Sequence, residues 1–265
     1  MYEQVLGTEH PETAATLDHL ATIAGIQGKY EQALRLYERA LRIREQVLGP
    51  EHLDTAATIN GIAMLYHHWH RYEEAQHMYE RTLRIREQEL GSEHPETAAI
   101  INSFAMLYSN WEKYEQAEPL FKRALHIYEQ ALGPEHLTTL STLNHLAVCY
   151  RENRKYEQAA LLFERALQIE HSLRLEHPVT ATTINNLALL YLQKGEYERS
   201  LQMYEQALHL RERIFGADHP NATITCLNMG QLYRKLEGYE RAEVLLQRAL
   251  TTHEHALGKE RSKVA

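Results

Sequence analysis

The chain has 265 residues, with 28 Lys and Arg against 36 Asp and Glu and a formal charge of −8 when its 17 histidines are neutral. That length fits one large domain or two of about 150 residues, and 44% apolar residues supply enough core to exclude wholesale disorder. Twelve Gly and seven Pro amount to about 7%, against an average near 12%, which disfavours a sandwich or barrel with many tight turns.

In chain order, residues 1–9 come first, and Met1–Val5 match the close of a helix such as Arg44–Val47. An array that starts without its first hairpin is therefore expected. The string Leu-Gly-x-Glu-His then recurs at Leu6–His10, Leu48–His52, Leu90–His94 and Leu132–His136, with weaker copies ending at His177 and His219. The histidines are spaced by 42, 42, 42, 41 and 42 residues. Such a period is the mark of a repeat architecture. It divides 10–260 into six units, 10–51, 52–93, 94–135, 136–176, 177–218 and 219–260, with a tail at 261–265. The missing residue falls between Ala166 and His177, where Leu173-Arg174-Leu175-Glu176 departs from the pattern. A deletion there is tolerable in a connection and would scramble a helix face, so a connection is expected.

Each unit carries two apolar stripes at helical spacing. In the fifth, Ile184, Leu187, Ala188 and Tyr191 form one and Ser200, Tyr204 and Ala207 the other, with a turn at Lys194–Tyr197. Pro11, Pro95, Pro178 and Pro220 suit a first helical turn, where a missing N–H costs nothing. Glu12 and Glu96 suit the positive end of a helix. Two antiparallel helices of roughly 16 to 18 residues are expected per unit, and one hairpin cannot bury both stripes alone, so neighbours must stack. Small residues recur (Ala21, Ala63, Ala105, Ala147, Ala188, Gly230), as do tyrosines after each turn (Tyr30, Tyr72, Tyr114, Tyr156, Tyr197, Tyr239). Sixteen tyrosines look like a binding signature, but nearly all fall in such columns and are expected to be core filler. Cys149 and Cys226 lack disulfide or zinc spacing and read as reduced core thiols.

Small, large and aromatic residues at these offsets resemble the tetratricopeptide repeat. The 42-residue spacing, Asn185–Tyr191 (Asn-Asn-Leu-Ala-x-Leu-Tyr) and Leu90–Pro95 are similar to the kinesin-light-chain type. The resemblance implies an all-α, right-handed superhelical solenoid whose first helices line a concave face. On that face it places Asp18, Asn60, Asn102, Asn144, Asn185 and Leu227. One turn later come Thr22, Met64, Met106, Val148, Leu189 and Gln231, and near the helix ends His67, Ser109, Arg151 and Arg234. The groove residues expected to hold a ligand are Asn60, Asn102, Asn144, Asn185, Met64, Met106, Arg151 and Arg234. An Asn amide offers two donors and an acceptor, enough to pair with an extended peptide backbone, and Met is an adaptable apolar contact. The other reading of the Asn column, compatible with the first, is that each amide bonds a neighbouring helix and sets the stacking. Lys and Arg are absent from the mapped positions of the first three units, unlike repeats that clamp a terminal carboxylate. A ligand with a basic or neutral middle fits better.

His67 and His70, three apart at a helix end, have a chelating spacing, but no third ligand is evident, and no dedicated metal site is expected. The column from His10 to His219 is expected to close each connection by a local hydrogen bond. Arg39, Arg42, Arg44 and Glu45 read as a solvated convex face with helix-surface pairs. No nucleophile–base pair, phosphate loop or carboxylate cleft stands outside the repeat columns, so neither an enzyme nor a cofactor is expected. The acidic balance argues against a nucleic-acid partner. No apolar run nears the roughly 18 residues that span a bilayer, and no leader opens the chain, so a cytoplasmic protein without membrane contact is expected. The leading expectation is a module that binds a protein or peptide segment, in the manner of the sensor arrays the resemblance brings with it. The alternative is an assembly scaffold that self-associates through uncapped repeat ends, since Arg261-Ser262 stand where His-Pro would continue the register.

Overall fold

The computed structural model describes residues 10–173, 177–217 and 219–264, with side chains through 252 and at 254. The expected helix end at 1–5, the core of the shortened connection at 174–176 and the side chains of Arg261 and Ser262 lie outside the described residues. The described chain is α-helical, with no strand among those residues. Its helices are α1 (Pro11–Ile26), α2 (Tyr30–Val47), α3 (Leu53–His68), α4 (Tyr72–Leu90), α5 (Pro95–Asn110), α6 (Tyr114–Ala131), α7 (Leu137–Glu152), α8 (Tyr156–Ser172), α9 (Pro178–Lys194), α10 (Tyr197–Phe215), α11 (Pro220–Lys235) and α12 (Tyr239–Val264). They form two compact units, α1–α6 and α7–α12, each built of three helix pairs in which consecutive helices pack together.

Every odd-numbered helix starts the same way. His10, His52, His94, His136, His177 and His219 are extended N-caps whose Nδ1 accepts the N–H two residues on, at 3.1–3.2 Å. A side-chain acceptor here satisfies one of the donors that a helix start leaves orphaned, which is why histidine recurs at this point. Pro follows at the first helical position in four of the six. Thr55, Thr97 and Thr139 then donate back to the carbonyls of Gly49, Gly91 and Gly133, closing the connection.

Within each pair the turn passes through a left-handed residue: Gly28, His70, Glu112, Arg154, Gly195 and Glu237, with φ between 58° and 80°. The next N–H reaches back to the helix, as in Lys29 to Ala24 and Arg71 to Tyr66 at 2.9 Å, so helix end and turn form one hydrogen-bonded loop. The small-residue columns are fully buried from Ala21 through Ala188 and from Ala33 through Ala159, as backbone contact within a pair requires. Tyr79 and Tyr204 are interior, whereas Tyr239 is exposed.

The even-numbered helices carry a repeated link. Arg81, Arg123 and Arg248 bond Glu45, Glu87 and Glu212 of the preceding even-numbered helix. The same guanidinium nitrogen also meets a connection carbonyl, that of Pro50, Ser92 or Ala217.

Arg44 departs from the expected solvated face. It is buried beside Ala40 and Ile43, because two turns beyond Tyr37 it continues the inward stripe of α2. Its guanidinium pairs with Asp18 at 2.8 Å and donates to Thr58 Oγ1 at 2.7 Å and to the Asp54 carbonyl at 2.6 Å. Arg211 repeats the arrangement with Thr225 and the Asn221 carbonyl. The same column holds Glu170 in α8, only 1% exposed.

Candidate functional site

The helical register brings Asn60, Asn102, Asn144 and Asn185 to equivalent positions on α3, α5, α7 and α9, yet their surroundings differ. Asn60 and Asn102 are half-buried and direct Nδ2 along their own helix to Met64 Sδ at 3.7 Å and Met106 Sδ at 4.0 Å. Asn144 is 6% exposed and donates across to Thr183 Oγ1 on α9 at 2.7 Å. Asn185, 5% exposed, accepts from Asn228 on α11 at 3.4 Å. For Asn60 and Asn144 the cause lies one unit on. Asp18 and Asn144 each find a threonine there, Thr58 and Thr183, whereas the position matching Asn60 is the buried aliphatic Ile100. The stacking reading thus holds for the buried cross-links in α7–α12, while Asn60 and Asn102 in α1–α6 lie beside methionine.

Met64 is 44% exposed and Met106 half-buried. Arg151 is buried, bonding Glu152 at 2.5 Å and the Asn186 carbonyl at 3.5 Å, so its guanidinium serves the helix junction. Arg234 is exposed in the last turn of α11. His67 does not combine with His70. Its Nε2 faces the Asn110 amide at 2.8 Å, and burial, with His68 and His70 adding like charge, lowers its pKa to about 4. It is therefore neutral and accepts from Asn110. His70 instead meets the Tyr72 hydroxyl at 2.8 Å, and no three His, Cys, Asp or Glu among the described residues group as metal ligands.

Two clusters went unread in the sequence. In α1–α6, Asp18, Arg44 and Thr58 close a buried triad, and beside it Thr22 meets the Tyr37 hydroxyl at 2.8 Å. Burial raises the Asp18 pKa, against the opposing pull of Arg44. In α7–α12, Glu170 Oε1 accepts from Thr183 at 3.1 Å while Oε2 has no hydrogen-bond partner. Burial pushes this carboxyl up to about 7, with Thr183 and Thr180 opposing. A column reading Arg44, Arg86, Glu170 and Arg211 inside a buried stripe was the available signal.

A cavity of about 520 Å³ opens between α1, α2 and α3. Asp18 and Asn60 supply its polar side, and Ala21, Ile26, Met64 and Leu65 its apolar side.

Among known families, the tetratricopeptide repeat matches residues 1–46, 19–88, 70–130, 96–169 and 179–255. Similar solved structures include a kinesin light chain from Podosopora anserina with nearly identical repeats, 26% identical, covering 78% of this chain and 98% of that one, with a TM-score of 0.68. BtubC from P. vanneervenii is 25% identical over 88% of this chain and 92% of that one, also at 0.68. RapI, 13% identical over 91% and 98% at 0.64, shows likeness of fold alone. No curated protein matches the chain significantly.

Proposed function

Given that this chain belongs to the tetratricopeptide-repeat family, in its kinesin-light-chain-like form, we propose that it binds an extended protein segment along the face formed by its odd-numbered helices, with Asn60 and Asn102 as the gripping amides. The chain is a protein-interaction module of a family whose repeats are generally scaffolds. The observation that carries the finer reading is the pair of amide–methionine contacts, Asn60 with Met64 and Asn102 with Met106. Each combines an amide able to bond a peptide backbone with an adaptable apolar surface. Asn144, Asn185 and Arg151 support that face from behind by fixing the helix junctions, and Arg234 is left for a polar contact on α11.

Selection of peptide binders against the whole chain tests this. Binders should be weakened at least tenfold by Asn102→Ala and by Asn60→Ala. A set of binders indifferent to both removes the groove reading. A second reading, self-association, is favoured by the exposed apolar side chains Ile23 and Ile26 on α1 and Val244 and Leu250 on α12. Light scattering that finds a monomer at every concentration removes it. A place in a larger signalling protein is a further step, and the gene context decides it. No described helix is long and apolar enough to cross a membrane.

A further inference from the structure

The cavity between α1, α2 and α3 exists because two residues depart from the repeat. Gly25 stands where later units have His67, Ser109 and Arg151, and Gly61 where they have Ser103 and His145. A Cβ on Gly61 would lie 2.6 Å from the Tyr37 ring, and one on Gly25 would lie 3.1 Å from Leu65 Cδ1. Side chains at these two positions would close the space, so it is a local feature of the first two units.

The hydrogen bonding of its walls is one-sided. Thr22 Oγ1 gives its hydrogen to the Asp18 carbonyl at 2.9 Å, so in the 2.8 Å contact between Thr22 and Tyr37 the donor is Tyr37. Asp18 Oδ2 receives Arg44 and Thr58, while Asp18 Oδ1 and Asn60 Oδ1 have no hydrogen-bond partner. These two oxygens are unmet acceptors; Tyr30 and His68 also line the cavity, and no lysine or arginine does. Both oxygens lie just behind the wall. Asn60 is held there by little more than its 3.7 Å contact to Met64 sulfur, so a half-turn of its amide exchanges Oδ1 with Nδ2. An ammonium brings donors and no acceptor, and its methylene stem suits apolar walls.

We propose that this cavity takes the alkylammonium side chain of a lysine in the bound segment, with its stem along Ala21, Ile26, Met64 and Leu65 and its head toward Asn60 and Asp18. The inference rests on the groove reading, whose site it deepens by naming one side chain of the ligand.

The test is a titration of the whole chain with Nα-acetyl-lysine N-methylamide and with its norleucine counterpart, followed by NMR at the methyl groups of Ala21 and Met64. The lysine probe should shift both saturably, at concentrations at least tenfold below any effect of norleucine. Gly25→Leu, whose Cβ would meet Leu65 Cδ1 at 3.1 Å and Ala33 Cβ at 4.0 Å, should abolish the response. Asn60→Leu, which removes an acceptor and orphans no hydrogen-bond partner, should erase the preference for lysine over norleucine. Equal response to norleucine, no response to lysine, or a lysine response that survives Gly25→Leu overturns the proposal. Peptide binders sensitive to Asn102→Ala alongside a silent cavity would leave the groove reading standing and remove this inference alone.

Discussion

The two helix units, α1–α6 and α7–α12, use the same columns for opposite ends. In the first, the buried ionisable position of an even-numbered helix is Arg44, balanced by Asp18 and capped by Thr58. In the second, Arg211 on α10 repeats the contacts to a carbonyl and a threonine, but α8 places Glu170 there, with hydroxyl partners and no counter-charge in its immediate hydrogen bonding. The asparagines divide in the same way, with Asn60 beside a methionine and Asn144 tied to the next helix pair. Residue identity at a repeat position therefore decides little by itself. For Asn60 and Asn144 the residue one unit away, Ile100 or Thr183, separates an amide beside methionine from one that holds the stack together.

Removing the charged group at the shared position should act with opposite sign at Arg44 and at Glu170. Arg44→Ala leaves the Asp18 carboxylate unpaired in a half-buried site, and urea unfolding should show a loss of about 3 kcal/mol. Glu170→Gln should instead stabilise the chain at pH 8. The folded carboxyl titrates near 7 against an ordinary 4.5, so its contribution is fully present below about pH 4.5 and is lost as pH rises through 7. The gain on substitution at pH 8 should be roughly 3 kcal/mol, shrinking to near zero at pH 4. A variant whose advantage does not change with pH would show that Glu170 does not titrate in this range.

Asn144→Ala should cost about 1–2 kcal/mol, because it removes a buried donor from the Thr183 junction, whereas Asn60→Ala should stay within about 0.5 kcal/mol. Thermal melts of the two variants side by side test the division, and equal losses would abolish it. An effect between these two is expected at the turns. His70→Gly relieves a left-handed backbone at a solvent-exposed site and should gain about 1 kcal/mol, with Gly195→Ala losing a similar amount. A calorimetric scan reads both, and a gain for Gly195→Ala would count against the turn geometry.

The hairpins, their stacking and a local hydrogen bond from each of the six histidines were legible in the sequence, because each follows from periodicity or from a connection repeated at fixed spacing, while the N-cap form of that bond came from the structure. Arg44 was not, since a charged residue on an amphipathic helix is ordinarily assigned to solvent, and only the reach to Asp18, Asp54 and Thr58 shows why it turns inward. The Asn column was visible while its division was not, because Thr183 and Ile100, which separate Asn144 from Asn60, lie on the following unit and look interchangeable as helix formers. The cavity could not be read either, because Gly61 and Gly25 are close approaches to Tyr37 and Leu65, and a glycine in a helix does not show which side chain it faces.

The Arg44–Glu170–Arg211 column also bears on how such arrays can be rearranged. Arg44 and Arg211 each require a carbonyl and a hydroxyl from the following unit, Arg44 also takes a carboxylate from its own first helix, and Arg86 takes the Glu96 carboxylate of its successor, whereas Glu170 requires donors. Shuffling or duplicating units would set wrong polarities against each other in the dry interior even where every apolar residue still fits. Sequence order along this chain is thus enforced from inside, and an engineered array of identical copies would have to choose one polarity throughout.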